Sequence, residues 1–437
     1  MNYYFVCGNM KQNLAFAFVH NSHGVPLAAG LLAPFTGWLF SPMIAALAMS
    51  GSSALVPINA PMLKWTKLAG IRQTGKKAGH AAQESSSGLI EEALMSTQAQ
   101  EMTRTVAELT ATGKGILAAD ESSGTIEKRF KAVNAPSTEL TRRDYRELLF
   151  STPGLGAFIC GVILFEETLK QKGAADVPLS QLLAAQGIVP GIKVDKGTVP
   201  LPGFPGEKVT QGLDGLAQRL TEYKQLGARF AKWRAVMSIG AGLPTTPAIA
   251  ANAHALARYA ALCQEQGLVP IVEPEVLMDG DHTLATCARV TEEVLHAVFH
   301  ELHRQRVALE CMLLKPNMVV PGAACPEQVA PGQVAQATLA CLRRTVPAAV
   351  PGIYFLSGGQ DDMTATANLN AMNARPQKQP WVLSFSYGRA LQAPALKAWR
   401  GDSANKTVAQ HALYQRARLN GAAREGKYSA AMESETS

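Results

Sequence analysis

The sequence predicts an α/β protein folded as a (β/α)8 TIM barrel, and three observations carry that prediction. From Gly115 onward, short β-rich runs alternate with amphipathic helical stretches, the pattern of repeated βαβ units. Eight such units occupy about 280 residues, the usual size of the closed eight-stranded form. The first strand-to-helix turn, Ala118 to Gly124, carries no GxGxxG, which counts against the doubly wound open sheet.

The eight runs are Gly115 to Asp120, Ala157 to Phe165, Val189 to Asp195, Arg229 to Ile239, Val269 to Val276, Ala308 to Pro316, Gly352 to Gly359 and Trp381 to Gly388. Helical periodicity lies between them. Leu213, Leu216, Leu220 and Tyr223 recur at spacings of three, four and three, and Gly227 follows where a C′ glycine ends a helix. Ahead of the first strand, Thr97 and Gln100 have capping-box spacing before the apolar series Met102, Val106, Leu109.

Length and charge set the remaining limits. At 437 residues the chain accommodates two ordinary domains or one large barrel with an appendage. The net charge of +7 suits anionic ligands, but the basic residues are scattered rather than massed in the runs of a nucleic-acid binder. Seven cysteines without a CxxC point to a reducing compartment and buried, inert thiols.

The first 94 residues read differently, with no acid before Glu84 and no Lys, Arg, Asp or Glu between Lys11 and Lys64. Val25 to Met49 is apolar, yet Pro26, Pro34 and Pro42 interrupt it, so a membrane span is not expected. We divide the chain into residues 1–94, a poorly ordered extension that is a targeting segment or an over-long gene start, and residues 95–437, the barrel with a C-terminal helix and tail. A cytoplasmic location is expected, with organelle targeting through residues 1–94 as the alternative.

In this architecture the C-terminal ends of the strands share one mouth, so catalytic groups gather there. Those ends carry Asp120, Lys193 and Asp195, Lys232 and Arg234, Glu273 and Glu275, Lys315, Ser357, and Arg389 just past the last strand. One buried lysine is commonly a paired structural charge. Several ionisable groups converging on one face point instead to chemistry.

A lysine attacks a ketone only as the free amine, a state favoured by desolvation and by a nearby cation. Lys315 has the apolar flank Leu313, Leu314 and Met318, with Lys232 two strands away. Glu273, Glu275 and Asp120 can move the protons that carbinolamine dehydration and carbon–carbon cleavage require. Ser357-Gly358-Gly359 and Ser386, Gly388, Arg389 supply N–H groups and a guanidinium at the usual barrel phosphate site. Lys193, Thr125, Lys128, Arg129 and Arg234 could hold a second phosphate at the opposite rim, although Lys128 and Arg129 alone read as a solvated helix face.

The blocks GKGILAADESSGTIEKRF, GVILFEETL, GIKVDKG, TQGLDGL, FAKWRAV, VPIVEPEV, LLKPNMVVPG, FLSGGQ and FSYGRALQ, in this order between about Met95 and Tyr428, resemble the class I fructose-bisphosphate aldolases. The resemblance implies metal-independent, reversible cleavage of fructose 1,6-bisphosphate without a cofactor. It implies Lys315 as the Schiff-base lysine, Glu273 as the principal acid/base, Asp120 at the C4 hydroxyl, Lys232 as the assisting lysine and Glu275 as the group that orders the network. It also implies Ser357, Gly358, Ser386 and Arg389 at the C1-phosphate, and Lys193, Thr125 and Arg234 at the C6-phosphate. The partners implied are sugar phosphates, with no nucleic acid or membrane, in a homotetramer or smaller homo-oligomer.

Two departures from the family pattern stand out. Glu310-Cys311-Met312 ends in Cys-Met where usual members carry Gly-Thr; unbroken strand alternation would turn Cys311 inward with Lys315 and Met312 toward the helices. The chain also ends Lys427-Tyr428-Ser429 to Ser437, without a terminal tyrosine to assist proton exchange.

A zinc-dependent rival would rest on His296, His300 and His303 at i, i+4, i+7. Val290, Val294, Val298 and Leu302 mark the buried face of that helix, so the histidines fall on its solvated side and no metal is expected. A monophosphate aldolase or transaldolase would not need cations at both rims, and an inactive scaffold would have lost the lysine or its acid/base partners.

Overall fold

A computed structural model describes residues 97–434. Eight parallel strands close into a barrel: β1 (Gly115–Ala119), β2 (Ile159–Leu164), β3 (Val189–Lys193), β6 (Phe230–Met237), β7 (Val269–Val276), β8 (Leu313–Leu314), β9 (Gly352–Phe355) and β10 (Val382–Tyr387). Around the barrel the order is β1-β10-β9-β8-β7-β6-β3-β2, so each strand pairs with its neighbours in sequence once a short hairpin is set aside. That hairpin, β4 (Thr198–Pro200) with β5 (Lys208–Thr210), is antiparallel and was not among the eight expected runs. Its exposed β4 carries no hydrophobic alternation to reveal it. Thr210 Oγ1 donates to Arg234 O at 2.8 Å, fastening the hairpin to β6.

The strands alternate sides as their period of two requires. Ile116, Ile163, Val189, Phe230, Val269, Ile271, Leu313 and Tyr354 belong to an inner cluster, whereas Leu117, Leu164, Ile192, Trp233, Val272, Leu314 and Phe355 pack against the helices. Glycine makes room for the largest inner ring: a Cβ on Gly191 would lie 2.3 Å from Phe230. The helix at residues 97–109 adds Met102, Val106 and Leu109 to the inner cluster and floors the barrel. With that end filled, the opposite mouth is left for ligands.

The outer helices follow the sequence signals. Leu216–Gln225 buries Leu216, Leu220 and Tyr223, and Gly227 beyond it has φ of 99°, the left-handed conformation expected of a C′ glycine. Leu284–Arg304 is capped by Thr283, which accepts from Thr286 N at 3.3 Å, and buries Val290, Val294, Val298 and Leu302. His296, His300 and His303 are exposed on the other face.

One expected strand is much shorter than its run. Leu309–Cys311 forms a 3-10 turn and only Leu313–Leu314 pairs, so alternation from Cys311 to Lys315 is not carried by a continuous strand. The sidedness survives nonetheless: Cys311 joins the inner cluster and Met312 the outer one. The proposed extension at residues 1–94, including the apolar Val25 to Met49, lies outside the described residues. Among the described residues, no helix is long and apolar enough to cross a membrane.

Candidate active site

Strand register decides which side chains meet at the mouth. Lys193 on β3 is level with Lys232 on β6, and Arg234 is level with Glu273 on β7. Because β7 lies between β6 and β8, Glu273 stands between Lys232 and Lys315. Its Oε1 is 3.1 Å from Lys315 Nζ and its Oε2 is 3.0 Å from Lys232 Nζ. The second contact is an ion pair by distance rather than an aligned hydrogen bond. Lys232 Nζ also lies 2.6 Å from Asp120 Oδ2 at the end of β1. Lys232, Glu273 and Lys315 are each only 3% exposed, so little solvent screens these charges.

The electrostatics follow from that packing. Burial works against ionising Asp120, but Lys232 and then Lys315 outweigh it and hold the carboxyl well below the usual carboxylate range. Glu273 is lowered by the same balance, burial being overcome by Lys232, Lys315 and Arg234. Burial likewise opposes the charge on Lys232, yet Asp120, Glu273 and Asp195 keep its pKa above the ordinary lysine value. The site therefore holds a fixed cation, Lys232, between two ionised carboxylates.

A second layer orients this core. Glu275 accepts from Arg234 Nε, and Asp195 receives Arg234 N at 3.3 Å while pairing with Lys193 Nζ at 3.3 Å. Lys193 also stands 6.0 Å above the centre of the Phe165 ring. These contacts aim Lys193 and Arg234 along one side of a cavity of about 840 Å³. On the other side lie Ser357, Gly358, Ser386 and Arg389. Ser386 is 1% exposed, and among the described residues its Oγ finds no hydrogen-bond partner, leaving it free for a ligand oxygen.

The structure brings Asp120, Thr125, Lys193, Lys232, Arg234, Glu273, Glu275, Lys315, Ser357, Gly358, Ser386 and Arg389 around one cavity. Among the described residues, no group of three or more His, Cys, Asp or Glu side chains is arranged to hold a metal ion. Arg129 lines the same cavity, where its Nη2 is 3.8 Å from the position a Cβ on Gly388 would take.

Glu121 was missed altogether. Buried to 8% exposure, it pairs with Arg129, accepts from Arg146 Nη2 at 2.5 Å and from Gln392 Nε2 at 2.8 Å, and so holds Arg129 in place. Its place next to Asp120 was the only signal available, since its other partners are distant in sequence. Met278, Asp279 and Ala323 also line the cavity without having been anticipated.

With this geometry in hand, similarity to known proteins is informative. Residues 101–437 match the family model described as fructose-bisphosphate aldolase class-I. The chain is 56% identical over 330 residues to a protein of Xanthomonas campestris pv. campestris named probable fructose-bisphosphate aldolase class 1, covering 75% of this chain and 98% of the relative. It is 56% identical over 332 residues to fructose-bisphosphate aldolase 1 of Toxoplasma gondii, covering 76% and 91%. It is 54% identical over 336 residues to the cytosolic fructose-bisphosphate aldolase 5 of Arabidopsis thaliana, covering 77% and 94%. A solved fructose-bisphosphate aldolase from Plasmodium falciparum, in complex with TRAP and a small-molecule inhibitor, superposes with a TM-score of 0.75 at 52% identity, covering 76% of this chain and 96% of that one.

Proposed function

The chain belongs to the class I fructose-bisphosphate aldolases, and from that premise we propose that Lys315 is the amine that forms an imine with the ketose. The reaction is the metal-independent, reversible cleavage of fructose 1,6-bisphosphate to dihydroxyacetone phosphate and glyceraldehyde 3-phosphate, a step of glycolysis and gluconeogenesis. The observation that carries the assignment is the single carboxylate of Glu273 shared by Lys315 at 3.1 Å and Lys232 at 3.0 Å.

Glu273 takes the proton that Lys315 gives up on becoming the free amine, the amine adds to the C2 carbonyl, and Glu273 returns that proton to the departing hydroxyl, which leaves as water from an iminium. The iminium draws the electrons of the C3–C4 bond while Asp120 accepts the proton of the C4 hydroxyl, so the aldehyde leaves. An enamine remains on Lys315; protonation at C3 and addition of water then release the ketone product. Lys232 keeps Asp120 and Glu273 ionised and in position. Glu275 holds Arg234, which with Lys193 and Thr125 takes the C6-phosphate, while Ser357, Gly358, Ser386 and Arg389 take the C1-phosphate.

Incubating the enzyme with fructose 1,6-bisphosphate and sodium borohydride and then mapping peptides by mass is expected to place a reduced sugar adduct on Lys315. An adduct on another lysine, or none, would sink the assignment. The same reading takes the enzyme as cytoplasmic and as a homotetramer or smaller homo-oligomer, which light scattering on the purified protein checks.

A further inference from the structure

One contact at the phosphate cradle has no part in the aldol chemistry. Gly358 and Gly359 have φ of 57° and 102°, the left-handed region that glycine tolerates. A Cβ added to Gly359 would stand 3.0 Å from Met278 Sδ, 3.4 Å from its Cγ and 3.7 Å from Arg389 Nη2. A thioether and a guanidinium therefore converge on one point above the cradle. Met278 is half-buried on the cavity wall. Its loop is fastened to a neighbouring one, with Ala323 N donating to Met278 O at 2.7 Å and Ala324 N to Gly280 O at 2.8 Å. The sulfur is thus held beside the cradle while facing a mouth that admits solutes.

We propose that Met278 is an oxidation site through which hydroperoxides weaken binding of the sugar phosphate, a proposal that rests on reading Ser357 to Gly359 and Arg389 as the phosphate cradle. In the reaction Met278 Sδ takes the distal oxygen of the hydroperoxide. The O–O bond breaks, an S–O bond forms, sulfur loses two electrons, and the peroxide leaves reduced as an alcohol, or as water when it is hydrogen peroxide. A polar, chiral sulfoxide then replaces an apolar thioether. Its oxygen accepts hydrogen bonds and competes with phosphate for Arg389.

The described thiols are poor rivals for the oxidant. All six described cysteines are buried. Burial pushes Cys160 and Cys341 up to about 12 and also raises Cys263, Cys287 and Cys311, so little of the reactive thiolate forms. Met363, 48% exposed on the helix Asp362–Asn373 and away from the cavity wall, is an internal control for methionine oxidation that leaves the cradle untouched.

The test treats the full-length enzyme with hydrogen peroxide, follows fructose 1,6-bisphosphate cleavage, and maps oxidised peptides by mass. Cleavage by the untreated enzyme, measured first, tests the functional reading separately. Oxidation is expected to raise KM by about fivefold or more and to move kcat by less than about twofold, in step with one added oxygen on Met278. Methionine sulfoxide reductase should reverse the change and dithiothreitol should not. Met278→Leu should keep its own untreated KM after peroxide, whereas Met363→Leu should respond like the parent. The proposal is overturned if Met278→Leu loses substrate affinity in parallel with the parent, or if enzyme with a raised KM carries unmodified Met278.

Discussion

Glu273 cannot be understood apart from Lys232, because one carboxylate lies between two lysine side chains in a site almost closed to water. Removing Lys232 leaves burial, which raises carboxyl pKa values, less opposed at both Asp120 and Glu273. Lys232→Met is therefore expected to lower kcat by on the order of 10²-fold or more and to move the acid limb of the kcat/KM profile to higher pH. A profile that falls in amplitude without shifting would count against this coupling.

Stability carries the same signs. The depressed carboxylates contribute stability that is present above their ordinary values of 3.8 and 4.5 and is lost as pH falls through their lowered folded values. Lys232, raised when folded, contributes stability that is present below its ordinary 10.5 and is lost as pH climbs through its higher folded value. Urea midpoints should accordingly fall further on acidification for the parent than for Lys232→Met, whose two carboxylates are less depressed. Much of this cluster was legible because ionisable residues at alternate positions of apolar runs have no structural excuse. Glu121 was not, since its clamp on Arg129 depends on Arg146 and Gln392, which only the closed barrel brings near.

Among the elements, legibility followed local pattern. The run Val269 to Val276 matches its strand to the residue because its backbone pairs along its full length on β6. The run Ala308 to Pro316 shrank to two paired residues because Leu309–Cys311 turns before the strand begins, a backbone choice that apolar composition does not encode.

Contacts at the barrel floor were equally hidden, and they support a test. Arg424, on the helix Lys406–Arg424, donates to Ala111 O at 2.5 Å and Thr110 O at 2.9 Å, satisfying carbonyls just past the end of the helix at residues 97–109. Arg424→Ala is expected to cost about 1–3 kcal/mol of unfolding free energy by leaving those carbonyls without a charged donor. The active-site mouth lies at the other end of the strands, so KM should hold, and a large KM change would show that the floor and mouth are coupled.

For the whole molecule, the question is how much of the chain the enzyme needs. Every proposed catalytic group lies within residues 97–434, and the family match begins at residue 101. A chain starting at Met95 is therefore expected to keep kcat/KM within about twofold of the full length. Removing the helix at residues 97–109 as well should have a very different outcome. Met102, Val106 and Leu109 are 6%, 7% and 0% exposed and share the inner cluster with Val189, Phe230 and Val269. Burying three such side chains stabilises by roughly 5–9 kcal/mol together, which is comparable to the roughly 5–15 kcal/mol net stability of a typical folded protein. Loss of the Leu109 carbonyl would also leave the Tyr354 hydroxyl, a buried donor inside the barrel, without its acceptor. The longer truncation should thus fail to fold while the shorter one works. Circular dichroism melts and aldolase assays on both would check this, and equal activity from the two would refute the floor's role in holding the barrel closed.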